Sequence, residues 1–223
     1  MTVATFALIH GGGDVGWYWH LVERELRQRG HDTLAPDLPC SDDSAGLAEY
    51  ADTVTDAVGT RDNLVVVAQS FGGFTAPLVA ARVPVEMLVL VAGMIPAPRE
   101  APGDWPANTG FDEVMRQQAV RYAGQDLIYH DVPPALAEQA RRYARDQSDT
   151  PGHAPWPLDT WPPVPSRFVL CTEDRFFPPE FMRRVVADRL GVVPDEIAAG
   201  HAVALSRPKE LAGLLAGYAA TGS

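Results

Sequence analysis

Four short, mostly apolar runs constrain this chain more than anything else in it: Phe6-Ala-Leu-Ile9, Leu64-Val-Val-Val-Ala68, Met87-Leu-Val-Leu-Val91 and Arg167-Phe-Val-Leu-Cys171. None of them alternates apolar with polar residues, so each reads as a strand buried on both faces. Thr33-Leu-Ala35 and Val192 to Ile197 are weaker strand candidates. Helical patterns lie between and after these runs. Leu211, Leu214, Leu215 and Tyr218 follow the i, i+3, i+4, i+7 rule, and Leu21, Val22 and Leu26 nearly do. Phe181, Val185 and Leu190 mark another helix, entered through Pro178-Pro179. Strand–helix alternation of this kind predicts βαβ units, a parallel sheet and right-handed crossovers. With 223 residues, the chain is expected to form a single α/β domain over residues 1–223.

Residues 97–165 break the rhythm. They contain no convincing strand, but they hold Trp105, Trp156 and Trp161 and the proline-rich Trp161-Pro-Pro-Val-Pro165. Helical pieces are expected near Phe111 to Ala123 and Pro134 to Asp146. So long a connection inside a compact domain is usually functional, and it is read as a small helical cap over the sheet's C-terminal edge.

Four features carry chemistry. In Val65-Val-Val-Ala-Gln-Ser70-Phe-Gly-Gly73 a serine stands between a strand and a helix, with small residues, Ala68 and Gly72, two positions to either side. Such a serine sits on a tight turn, exposed at the strand end, and is the candidate nucleophile. His10-Gly-Gly-Gly13 follows the first strand, and glycines there let backbone N–H groups approach a developing oxyanion. Gly12 and Phe71 are the expected donors, Gly11 is expected to line the substrate site, and His10 is expected to brace the loop. Asp174, in Cys171-Thr-Glu-Asp174-Arg-Phe-Phe-Pro178, is favoured over Glu173 as the carboxylate that orients a histidine. His201, in Ala199-Gly-His201, is the candidate base. Ser70, Asp174 and His201 each follow an expected strand and occur in the Ser…Asp…His order of one hydrolase fold.

With these residues in place, the sequence resembles the α/β-hydrolase superfamily over essentially its whole length. It most resembles the small esterase and hydroxynitrile-lyase-like branch, through Phe6-Ala-Leu-Ile-His-Gly-Gly12, Gly16-Trp-Tyr-Trp19, Gly30-His31 and Ala35-Pro-Asp-Leu-Pro39. The resemblance implies an α/β-hydrolase fold with a mostly parallel sheet ordered 4-3-5-6-7-8 and a cap after the family's strand 6. This chain starts at the family's strand 3, so six strands are expected. Hydroxynitrile lyases of this branch carry a threonine after the loop histidine and a lysine after the catalytic one. Gly11 and Ala202 stand here instead, which argues against lyase chemistry. The segment Pro39-Cys-Ser-Asp-Asp-Ser44 also departs from the Gly-x-Gly of many relatives.

The expected function is a serine hydrolase cleaving a small, moderately hydrophobic carboxylic ester through an acyl-enzyme. The same triad could serve lactone, thioester or C–C cleavage, and a non-catalytic small-ligand binder is the other alternative. Trp105, Trp156 and Trp161 are expected at the substrate, with His130 and His153 as further candidates. The formal charge of −11 disfavours nucleic acid and anionic membrane surfaces. The two cysteines form no CxxC pair: Cys171 reads as a buried hydrophobe, and Cys40, in a polar loop, as accessible. No metal site or cofactor is expected. With no basic N-terminal segment and no span of roughly 20 apolar residues, the expected location is the cytoplasm.

Overall fold

The computed structural model describes residues 3–221. Its six strands are β1 (Thr5–Ile9), β2 (Asp32–Leu34), β3 (Leu64–Gln69), β4 (Met87–Val91), β5 (Ser166–Cys171) and β6 (Asp195–Ile197). They form one sheet in the order β2-β1-β3-β4-β5-β6, with every pairing parallel. Numbered from the family's strand 3, this is the order 4-3-5-6-7-8 expected from the sequence.

Both faces are covered, which is why the central strands contain no alternation with polar residues. Ala7, Ile9, Val66, Ala68, Leu88, Leu90, Phe168 and Leu170 share one face with the helices Leu47–Val58, Ala76–Ala80 and Pro179–Arg189. Phe6, Leu8, Val65, Val67, Val89, Val91 and Val169 pack on the other against His20–Gln28, Val203–Ser206 and Pro208–Thr221. The period-2 geometry of a strand divides consecutive residues between the two layers.

Between β4 and β5 the chain is helical, with Trp105–Thr109, Phe111–Arg121, Pro134–Tyr143 and Thr150–His153. Both ends of this segment are fastened to the core. The Trp105 indole N–H donates to the Ile95 carbonyl and the Trp156 indole to the Phe74 carbonyl, each at 3.0 Å. The Trp156 backbone N–H donates to the Glu100 carbonyl at 3.0 Å, joining one end to the other. Glu100, with its side chain 3% exposed, accepts from both terminal nitrogens of Arg189, from the Asn108 amide and from the Ala97 N–H. Burial alone would raise the Glu100 pKa, but these donors outweigh it and the net direction is downward.

The turn after β3 is packed against backbone. A Cβ on Gly73 would stand 2.0 Å from the Met94 carbonyl oxygen, which cannot swing aside as a side chain would. Gly73→Ala is therefore expected to destabilise by about 1–3 kcal/mol. This should appear as a lower urea midpoint with an unchanged m-value.

Candidate active site

The C-terminal ends of the parallel strands gather the site. Register places Ile9 beside Ala68 and Gln69 beside Val91, so the loops leaving β1, β3 and β4 emerge together. Ser70 follows β3 directly and opens the 3₁₀ turn Ser70–Phe74. Its φ is +49°, the left-handed region that non-glycine residues seldom occupy. Such strain costs on the order of 1–3 kcal/mol and persists only where the surroundings impose it. Here β3 holds one side, and the Met94 N–H donates to the Ser70 carbonyl at 2.8 Å on the other. A Cβ on Gly72 would lie 2.7 Å from the His10 carbonyl oxygen, which is the crowding that requires a small residue two positions after the serine.

Asp174 follows β5 and His201 follows β6, and both are buried. Asp174 Oδ1 accepts the N–H groups of Phe176 (2.8 Å) and Phe177 (2.9 Å), while Oδ2 lies 2.8 Å from His201 Nδ1. An ionised carboxylate only accepts, so Nδ1 donates and Nε2 of a neutral ring presents its lone pair. Phe176 and Phe177 stand edge-on to the imidazole, with centroids at 4.9 and 5.1 Å. Asp131 holds the histidine loop by accepting the Gly200 N–H at 2.7 Å. Glu173, the rival carboxylate, is exposed.

His201 Nε2 does not meet the Ser70 hydroxyl in this structure. It meets the buried Gln69 amide nitrogen at 3.0 Å, and the same nitrogen lies 3.4 Å from the His201 carbonyl oxygen. Gly11 makes room for this amide, since a Cβ there would stand 2.4 Å from Gln69 Oε1.

The glycine loop after β1 is braced by His10. Its Nδ1 donates to the Gly11 carbonyl (2.8 Å) and its Nε2 accepts the Leu38 N–H (2.9 Å). Burial lowers its pKa, in keeping with this neutral role. Gly12 and Phe71 are neighbours, since a Cβ on Gly12 would lie 3.6 Å from Phe71 Cβ.

A cavity of about 300 Å³ joins these groups. Ser70, His201, Gly11, Gly12 and Phe71, all named from the sequence, line it. Met94, Pro106, Phe111, Phe176 and Phe177 give it apolar walls. Asp14, Tyr18, Tyr129, Gln69 and Gln147 add polar groups that sequence reasoning missed. Asp14 and Gln69 could have been found by their places, one directly after the glycine loop and one beside the serine. Tyr129 and Gln147 lie in the segment between β4 and β5, where no motif marks them.

The tryptophans expected at the substrate stand elsewhere. Trp105 and Trp156 are fully buried, with their indole N–H groups spent on backbone carbonyls, and Trp161 donates to Ser166 Oγ at 2.9 Å. Their large apolar surface fastens the helical segment and does not line the cavity. His130 Nε2 lies 3.1 Å from the Glu173 carbonyl and His153 is exposed, and neither lines the cavity. Cys40, expected to be accessible, is buried, with Sγ 3.6 Å from the Asp14 carbonyl oxygen. Burial raises both cysteine pKa values, far more for Cys171 than for Cys40, which keeps both as thiols.

Comparison with known proteins agrees with this architecture. The model of the alpha/beta hydrolase family matches residues 6–214, and the chain belongs to that family. Methylesterase 7 of Arabidopsis thaliana is 25% identical, over 94% of this chain and 94% of that protein. Norfluorocurarine synthase 1 from a Strychnos species is 24% identical, over 92% of this chain and 91% of its own. The crystal structure of polyneuridine aldehyde esterase superposes with a TM-score of 0.81 at 20% identity, covering 97% of this chain and 99% of that one. Among the described residues no helix is long and apolar enough to cross a membrane.

Proposed function

We propose that this chain is a serine hydrolase that cleaves small, moderately hydrophobic carboxylic esters through an acyl-enzyme, with Ser70 as nucleophile, His201 as base and Asp174 as its orienting carboxylate. The observation that carries the reading is a serine held in a left-handed conformation on the wall of the cavity that His201, itself paired with Asp174, also lines. The esterase and methylesterase names among the relatives support it.

As an ester enters, the Gln69 amide yields Nε2 to the Ser70 hydroxyl. Nε2 takes the hydroxyl proton as Oγ bonds to the carbonyl carbon, and Asp174 stabilises the imidazolium that forms. The N–H groups of Gly12, in the glycine loop, and of Phe71, at the start of the Ser70–Phe74 turn whose first amides have no partner within it, receive the oxyanion. Collapse passes the Nε2 proton to the departing alkoxide. Water then gives a proton to Nε2 as its oxygen attacks the acyl carbon, and collapse returns that proton to Ser70 Oγ as the acid leaves. The helical segment over 97–165 serves as the cap, supplying Pro106, Phe111, Tyr129 and Gln147 to the cavity.

Reaction with a fluorophosphonate probe, followed by peptide mapping, tests the reading. Label on Ser70 that disappears in His201→Ala is the expected result. No label on folded protein would overturn it. In that case the Gln69 contact on Nε2 would favour the second reading, a small-ligand binder in which His201 is permanently occupied.

A further inference from the structure

The cavity holds one carboxyl group that the ester reaction does not use. Asp14 follows the glycine loop and lines the cavity beside Tyr18 and Tyr129. Its Oδ1 accepts the Val15 N–H at 2.9 Å, and Oδ2 has no hydrogen-bond partner among the described residues. Among the described residues no cation is paired with it. Arg145 lies 3.4 Å from Asp37, and the ionisable groups that act on or respond to Asp14 are Asp37, Tyr18, Tyr129 and Cys40.

A half-buried carboxylate on a largely apolar wall is held at a cost, because burial disfavours its charge and no protein donor among the described residues reaches Oδ2. A hydroxyl on a ligand would satisfy one oxygen but leave the charge uncompensated. A protonated amine satisfies both, in a cavity that Tyr18 and Tyr129 also line; Arg141, stacked on the Tyr129 ring at 5.1 Å, is itself paired with Asp126. The chain's net charge of −11 attracts cations over a longer range.

We propose that Asp14, with Tyr18 and Tyr129, is a recognition site for a protonated amine, so that the esters this cavity prefers carry a basic nitrogen away from the scissile bond. This rests on the ester-hydrolase reading for its turnover consequences, though not for binding. Burial, with Asp37 nearby, pushes the Asp14 carboxyl up to about 6. The site therefore carries its charge above that pH and loses it as pH falls through about 6, while an alkylamine stays protonated across the range.

Two measurements test the site. The first compares 3-(dimethylaminomethyl)phenyl acetate with its neutral isostere 3-isobutylphenyl acetate. The wild-type protein at pH 7.5 should show a KM about tenfold lower for the amine, and the ratio should fall toward one below pH 6 and in Asp14→Asn. The second measures binding of N,N-dimethylbenzylamine to Ser70→Ala protein by calorimetry, with and without Asp14→Asn, which needs no turnover. Equal KM values, or a preference that survives Asp14→Asn, would overturn the site and leave the esterase reading standing. Asp14-dependent amine binding in a protein that hydrolyses neither ester would do the reverse.

Discussion

Ser70→Ala is expected to lower turnover of an activated ester by about 10⁴–10⁶-fold. The substitution removes one oxygen atom, and that oxygen makes no hydrogen bond in the structure, so no buried partner is left unsatisfied. The strained φ of +49° is as unfavourable for alanine as for serine, because both carry a Cβ, and stability should barely change. Rate and stability are thereby separated. Parallel measurement of kcat and Tm should find the first collapsed and the second within a degree or two, and substantial activity in the variant would remove Ser70 from the mechanism.

Glu100→Ala is expected to be the most destabilising of the single substitutions considered, at about 3–5 kcal/mol, the usual cost of leaving one member of a buried pair alone. Arg189, with a side chain 15% exposed, would lose both carboxylate contacts and keep only the Ile95 carbonyl at 2.7 Å. The Ala97 N–H and the Asn108 amide would lose their acceptor as well. For a chain of this size the expected fall in Tm is roughly 6–20 °C. Because the Glu100 pKa is depressed in the folded state, its contribution is present above the unfolded carboxylate pKa and is lost as pH falls through the folded value. The gap between wild type and variant should therefore narrow in strong acid. A gap that stays constant down to that range would assign the loss to packing and not to charge.

The sheet was legible in the sequence because burial on both faces leaves an unmistakable composition: β4 spans Met87–Val91, as the apolar run alone indicates. β2 and β6 are three residues each and lie at the sheet edges, so their patterns blur into the flanking loops. The helix Leu47–Val58 is harder to read from sequence, as it opens after a glycine and carries threonines that dilute its apolar stripe. Ser70, Asp174 and His201 could be found from their order along the chain and their places after strands. The cavity walls could not. Phe176 and Phe177 reach it because Asp174 binds their amides, and Tyr129 reaches it through a turn that Asp126 organises with hydrogen bonds of 2.8 Å to the Ile128 and Tyr129 N–H groups. Tryptophans drew attention by their size, yet a fully buried indole is as well suited to fixing a joint as to greeting a ligand.

That joint bears on how such a chain can change. The helical stretch between β4 and β5 leaves and re-enters the core at points bound to each other, Trp156 N–H to the Glu100 carbonyl, and each is separately bound to the core. What lies between them contributes Tyr129 and Gln147 to the cavity but nothing to the pairing of the strands. It behaves as a cassette in a fixed frame. Grafts of different length and chemistry within this stretch should reshape the cavity without displacing the loops that carry His201 and Gly12, provided that Asp131, which accepts the Gly200 N–H, and Gln147, which accepts the Gly13 N–H, are kept.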